Sequence, residues 1–214
     1  MKNLSYTQEY FLCAVNAKGG LKTDAIYASL FASAVFELLS GGYIKYVGDN
    51  KEWIAADRPL DHSLSYLKPL YDFIANQKEP LEAMSLPGFL TNSKLFQELI
   101  SAVGSSLAAL DCAEELPSQG LRKNRTRYAP KAEETKRVIE KIRAEFLEEG
   151  TVTDETFCLT ALLYHSKIIK DYFSKVESEA LKKRLDEVKN SGAFIATQEI
   201  LETVMMAYVL RVTF

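Results

Sequence analysis

Apolar side chains return every three or four residues along most of this chain, the period of a helix rather than a strand. Ser5 and Gln8 are spaced as a capping box ahead of Tyr10, Phe11, Cys13 and Ala14, and Gly19-Gly20 is expected to end that short helix. Thr23 or Asp24 can cap the next, which runs through IYASLFASAVFELLS to Gly41-Gly42 and is apolar almost all round. Its small residues Ala28, Ser29, Ala32, Ser33 and Ala34 let neighbouring helices approach closely, so this helix is expected at the centre. Helices are also expected around Leu64 to Gln77 and Leu81 to Leu86, the second closed by Pro87-Gly88. Asn92 or Ser93 then caps a helix whose stripe is Leu95, Leu99, Val103, Leu107 and Leu110. Lys131 to Glu149 sets Ile139, Ile142 and Phe146 against Lys136, Glu140 and Arg143, the pattern of a surface helix. Asp154 caps a helix with the run FCLTALL, apolar around its circumference and therefore interior. Glu177 to Lys189 reads as an outer helix, and Ile195 to Leu210 as a mostly apolar last one.

The period changes twice. Tyr43, Ile44, Tyr46 and Val47, then Trp53 and Ile54, flank Gly48-Asp49-Asn50 and predict a hairpin. Between Pro117 and Pro130, Leu121-Arg122-Lys123 and Thr126-Arg127-Tyr128 flank Asn124-Arg125 as a second, weaker hairpin. The expected fold class is mainly α: a single-domain helical bundle over residues 1–214, with a buried central helix set, amphipathic helices around it and short β-hairpins.

Composition narrows the function. The 214 residues are 47% hydrophobic, enough for a sizeable core, and the net charge of −3 argues against general nucleic-acid binding, which needs a basic face. Cys13, Cys112 and Cys158 are isolated among apolar residues and read as buried thiols of a reducing compartment. Neither a leader-like start nor a run of ~18 apolar residues is seen, so a cytoplasmic protein, or one peripheral on a membrane, is expected. Of the two histidines, His62 and His165, neither has metal-ligand spacing, and His165 reads as a structural hydrogen bonder. Glu114-Glu115 and Glu148-Glu149 read as solvated helix ends, and Trp53 with the hairpin tyrosines as packing on an adjoining helix. No hydrolase, metalloprotease or P-loop motif is present, so no enzyme activity, catalytic residue, cofactor or metal is expected. The helix ahead of the first hairpin also suggests a winged-helix DNA binder, but Asp24 to Ser40 has no lysine or arginine to read a groove.

Three motifs carry a family resemblance: Glu9-Tyr10-Phe11-Leu12, Glu37-Leu38 before a glycine turn, and Ala161-Leu162-Leu163-Tyr164. With LRKNRTRYAP ahead of an amphipathic helix, the chain from about residue 4 to 210 resembles the Golgi phosphoprotein 3 family. The resemblance implies a helical bundle with a protruding β-hairpin, no enzymatic role, and binding of phosphatidylinositol 4-phosphate on membranes; eukaryotic members act as adaptors for glycosyltransferases and coat proteins. The family's lipid site has a tryptophan at the start of the second helix and an arginine nine residues on, where this chain has Lys22 and Phe31. Two further family arginines correspond approximately to Gln97 and Ile100, and the basic N-terminal extension of the eukaryotic adaptors has no counterpart.

The resemblance places LRKNRTRY on the protruding hairpin. Arg122, Lys123, Arg125 and Arg127, with Lys22 as a neighbour, are the expected contacts with an anionic membrane lipid. At about 1 kcal/mol per cation the four hairpin charges supply about 4 kcal/mol, which several hairpins in a homo-oligomer joined through 121–128 would multiply. Two readings stand beside it: a soluble protein-protein adaptor that binds no lipid, its hairpin charged only for solubility, and, more distantly, the DNA binder.

Overall fold

The computed structural model describes residues 3–47, 52–82, 89, 93–117, 126–148, 150–190, 202 and 206. Helix α1 (Tyr6–Ala14) opens with the expected capping box: Gln8 N–H donates to Ser5 Oγ at 3.4 Å, and Ser5 N–H to Gln8 Oε1 at 3.2 Å. It ends earlier than the glycines suggested, because the backbone turns extended at Val15. Two distant hydroxyls satisfy its last carbonyls, Thr135 donating to Leu12 O at 2.9 Å and Tyr172 to Cys13 O at 2.8 Å.

Helix α2 (Asp24–Ser40) is the central element expected, with Ser29 and Ser33 fully buried among Leu30, Phe31, Ala34, Val35 and Leu38. Its cap is Thr23, whose Oγ1 accepts from Ile26 N–H at 3.4 Å; Asp24 is already inside the helix. A helix buried in this way cannot enter a DNA groove, which removes the physical basis of the winged-helix reading.

The first hairpin pairs β1 (Ile44–Val47) with β2 (Glu52–Ala55), Tyr46 opposite Trp53. Trp53 is buried, its ring 4.5 Å from that of Tyr46, so the aromatics pack inward as expected. A third strand, β3 (Leu81–Glu82), pairs with β2 and replaces the start of the helix expected over Leu81 to Leu86. Backbone pairing to Trp53 and Glu52 overrides the helical spacing there, while residues 83–88 lie outside those described. The helix expected over Leu64 to Gln77 divides into a 3₁₀ turn (His62–Leu67) and α3 (Lys68–Ala75), where Pro69 occupies a first-turn position that needs no N–H donor.

Helix α4 (Ser93–Ala109) buries Leu99, Val103 and Leu107 completely, each contributing about 1.5–3 kcal/mol. Leu110 falls past its end and is 40% exposed, so the stripe is one residue shorter than the spacing suggested. Asp111 turns the chain there with φ 56°. Strand β4 (Ala113–Leu116) then pairs with β5 (Arg127–Pro130), so Glu114 and Glu115 are exposed on a strand rather than at a helix end. The partner of β5 is thus found at 113–116, while the first strand expected at Leu121-Arg122-Lys123 lies outside the described residues.

Helix α5 (Ala132–Phe146) buries Val138, Ile139, Ile142 and Phe146 and leaves Lys136 and Glu140 exposed. Helix α6 (Asp154–His165) is interior, with Phe157, Cys158, Leu159 and Leu163 in the core; its cap is Thr153, which accepts from Thr156 N–H at 3.3 Å, not Asp154. Short α7 (Ile169–Tyr172) and outer α8 (Lys175–Asn190) follow. The helix expected over Ile195 to Leu210 lies outside the described residues except for Glu202 and Met206, both helical. One apolar cluster runs from Tyr10 on α1 to Leu181 on α8, and it contains all three cysteines as free thiols.

Candidate functional site

The residues that carried the motifs prove to hold the core together. Glu9 is buried, and both of its carboxylate oxygens accept from Lys141 Nζ, at 3.2 and 3.1 Å, tying α1 to α5. Burial raises its pKa above the ordinary carboxylate value, and Lys141 opposes the shift. Glu37 accepts from Thr7 N–H at 3.2 Å, in the first turn of α1, and from the Tyr66 hydroxyl. A carboxylate at a helix N-terminus is favoured by the free amides and dipole there. Burial and the Glu37 charge push the Tyr66 hydroxyl pKa up, which keeps its proton available for that bond. Ala161 to Tyr164 lie on the interior helix α6.

The expected ligand residues gather elsewhere, around β5. Its Tyr128 is buried against α4 at Gly104, where a Cβ would come within 2.2 Å of the ring. On the other side the turn after α1 is closed on itself: Asn16 Oδ1 accepts from Lys18 N–H at 2.8 Å and from Gly20 N–H at 3.2 Å. Gly19 there has φ +69°, and a Cβ on it would lie 2.7 Å from Arg127 Cβ. Arg127 Nη1 completes the junction by donating to Lys18 O at 3.1 Å.

Of the five predicted contacts, Arg127 is thus joined to the turn that leads into Lys22, and Lys22 is exposed just before α2. Arg122, Lys123 and Arg125 lie outside the described residues; Thr126 resumes the chain directly at the junction. Arg127 differs from its sequence reading as a free cation, since part of its guanidinium is engaged with a backbone carbonyl. Lys18, exposed on the same turn, was not singled out by the sequence, because one lysine between Ala17 and Gly19 looks like ordinary solvation. Its only available signal is its place on a turn whose Gly19 must accept a neighbouring strand.

The other positions aligned with the family's lipid site carry no cation. Phe31 is fully buried and stacked near Phe89, with ring centroids 5.7 Å apart, while Gln97 and Ile100 lie half-buried on α4. His62 and His165 are both exposed; His165 ends helix α6, and among the described residues no hydrogen bond of its side chain is found that would show the structural role expected of it. No cluster of metal-ligating side chains occurs among the described residues, and no described helix is long and apolar enough to cross a membrane.

No curated protein matches the chain. A family model does, over residues 7–207, nearly the whole length from α1 through the last described positions. The chain belongs to the Golgi phosphoprotein 3 (GPP34) family.

Proposed function

We propose that the chain is a non-enzymatic module that docks on an anionic phospholipid surface through one basic margin. The margin comprises Lys18 and Lys22 on the turn between α1 and α2, and Arg122, Lys123 and Arg125 ahead of β5. The observation that carries this reading is the bond from Arg127 Nη1 to Lys18 O, which joins β5, the strand that follows Arg122, Lys123 and Arg125 in sequence, to the turn that bears Lys18 and Lys22. Family membership supports it, since the family's name associates its members with a membrane-bounded organelle.

At about 1 kcal/mol per cation near an anionic surface, the margin provides several kcal/mol that salt weakens within a Debye length. Arg127 is the positioning residue: one of its donors is spent on the Lys18 carbonyl, so its contribution is to hold β5 on that turn. With Lys22, Phe31, Gln97 and Ile100 at the family's head-group positions, the margin is suited to charge density rather than to phosphatidylinositol 4-phosphate alone.

Co-sedimentation with vesicles of neutral and of phosphatidylserine-containing lipid tests the reading. The triple variant R122E/K123E/R125E, which leaves Arg127 and its bond in place, is expected to lose roughly a hundredfold or more in binding to the anionic vesicles. Unchanged binding, or equal binding of the original chain to neutral vesicles, would overturn it. Light scattering of the same samples shows whether a homo-oligomer joined through residues 121–128 multiplies the contact.

A further inference from the structure

Away from the basic margin, a cavity of about 310 Å³ lies between α6 and α8. Its walls are apolar, with Phe157, Ala161 and Leu162 on α6 facing Leu185 on α8. Among the described residues its rim is charged yet balanced: Lys182 stands one turn from Asp186, and Lys189 is paired to Glu202, Nζ to Oε1 2.9 Å. His165 completes the rim at the end of α6. Desolvation on the side that faces the slot, with Lys167 adding to the effect, lowers its pKa and favours the uncharged imidazole. Apolar walls with a few polar groups at the mouth are the pattern of a small-molecule site, and this volume is at the small end of that range.

We infer that this slot binds a single-chain amphiphile with a neutral polar head, of the fatty alcohol or monoacylglycerol class. If one methylene occupies about as much space as a water, ~30 Å³, the slot takes a chain of roughly ten carbons. A carboxylate or ammonium head would meet a like charge beside each opposite one among Lys182, Asp186, Lys189 and Glu202. A hydroxyl, which can both donate and accept, meets instead the imidazole of His165 at the rim. The slot is independent of the lipid-docking margin, and its occupant need not come from a membrane.

Calorimetric titration of the full chain with 1-hexanol, 1-octanol, 1-decanol and 1-dodecanol tests the inference. Affinity is expected to rise about fourfold per methylene and to level off near ten carbons. Ala161→Phe should move the plateau to shorter chains and Leu185→Ala to longer ones, so the second variant carries the test if the first fails to fold. His165→Ala should weaken decanol about fivefold, and decanoate and decylammonium should both bind more weakly than decanol. Absence of binding, an affinity that climbs without a plateau as in plain partitioning, a plateau unmoved by Leu185→Ala, or tighter binding of decanoate would each overturn it.

Discussion

At the α1–α2 junction a carboxylate is turned inward and satisfied by the protein, whereas at the turn–β5 junction one cation faces a carbonyl and the nearby Lys18 and Lys22 are exposed. Glu37 receives a helix-terminal amide and a tyrosine hydroxyl; among the described residues the side chains of Lys18 and Lys22, both exposed, receive nothing comparable. The residues that make the chain resemble its family are therefore partly architectural: Glu9 and Glu37 report how α1 is fixed on α5 and α2. Charges inside such a structure govern stability, and charges on the margin are expected to govern binding, so substitutions should separate the two quantities.

The largest expected break is on the inner side. Lys141→Met leaves Glu9 buried without its cation, an outcome that typically costs 3–5 kcal/mol; since both side chains keep some solvent contact, about 2–3 kcal/mol is expected from denaturant unfolding at neutral pH. The pH dependence has a definite sign. Burial holds the Glu9 pKa above that of the unfolded chain, so between those two values the folded state binds the extra proton and this site's contribution to stability rises as pH falls. The deficit of Lys141→Met should accordingly shrink on acidification, and adding Glu9→Gln should recover most of it at neutral pH. A deficit that grows toward acid would show that Glu9 is not the uncompensated group.

Next in size is Gly104→Ala, which forces a methyl into the Tyr128 ring and should cost about 1–3 kcal/mol by overpacking. Because Tyr128 seats β5, this variant should also weaken vesicle binding at temperatures where it is still folded, linking the two regions. Thr135→Ala, which removes the hydroxyl from Leu12 O, should cost about 1 kcal/mol and leave vesicle binding unaltered. The smallest effect on stability is expected at the margin: Lys18→Ala should not shift the unfolding midpoint, while anionic-vesicle affinity drops about fivefold. Lys183→Ala on exposed α8 is the matched control and should change neither. Should Lys18→Ala bind as the original chain does, the turn has no part in the docking surface.

The helices could be read from the sequence because their apolar residues report directly on a buried face, as in Leu99, Val103 and Leu107. Cap choice was less legible. Thr23-Asp24 and Thr153-Asp154 each offer two adjacent acceptors, and packing selects the register that puts the threonine outside the helix in both cases. Strand β3 is two residues long and carries no alternation to detect. Strand β4 reads Ala-Glu-Glu-Leu, which alternates poorly, and its partner lies ten residues beyond its end, past a more turn-like Asn124-Arg125. The junction itself was out of reach: Arg127 and Lys18 are 109 residues apart, and a side-chain bond to a main-chain carbonyl leaves no trace in residue type at the accepting position.

That β5 is held through two consecutive residues has a mechanical consequence. Successive side chains on a strand point to opposite faces, so Arg127 grips the turn before α2 while Tyr128 grips α4. A tug on β5 is then resisted from both sides of one strand, and a torque on it is shared between the turn that follows α1 and helix α4. Force arriving at this margin would be carried into the helical body at two separated points instead of being absorbed by the strand.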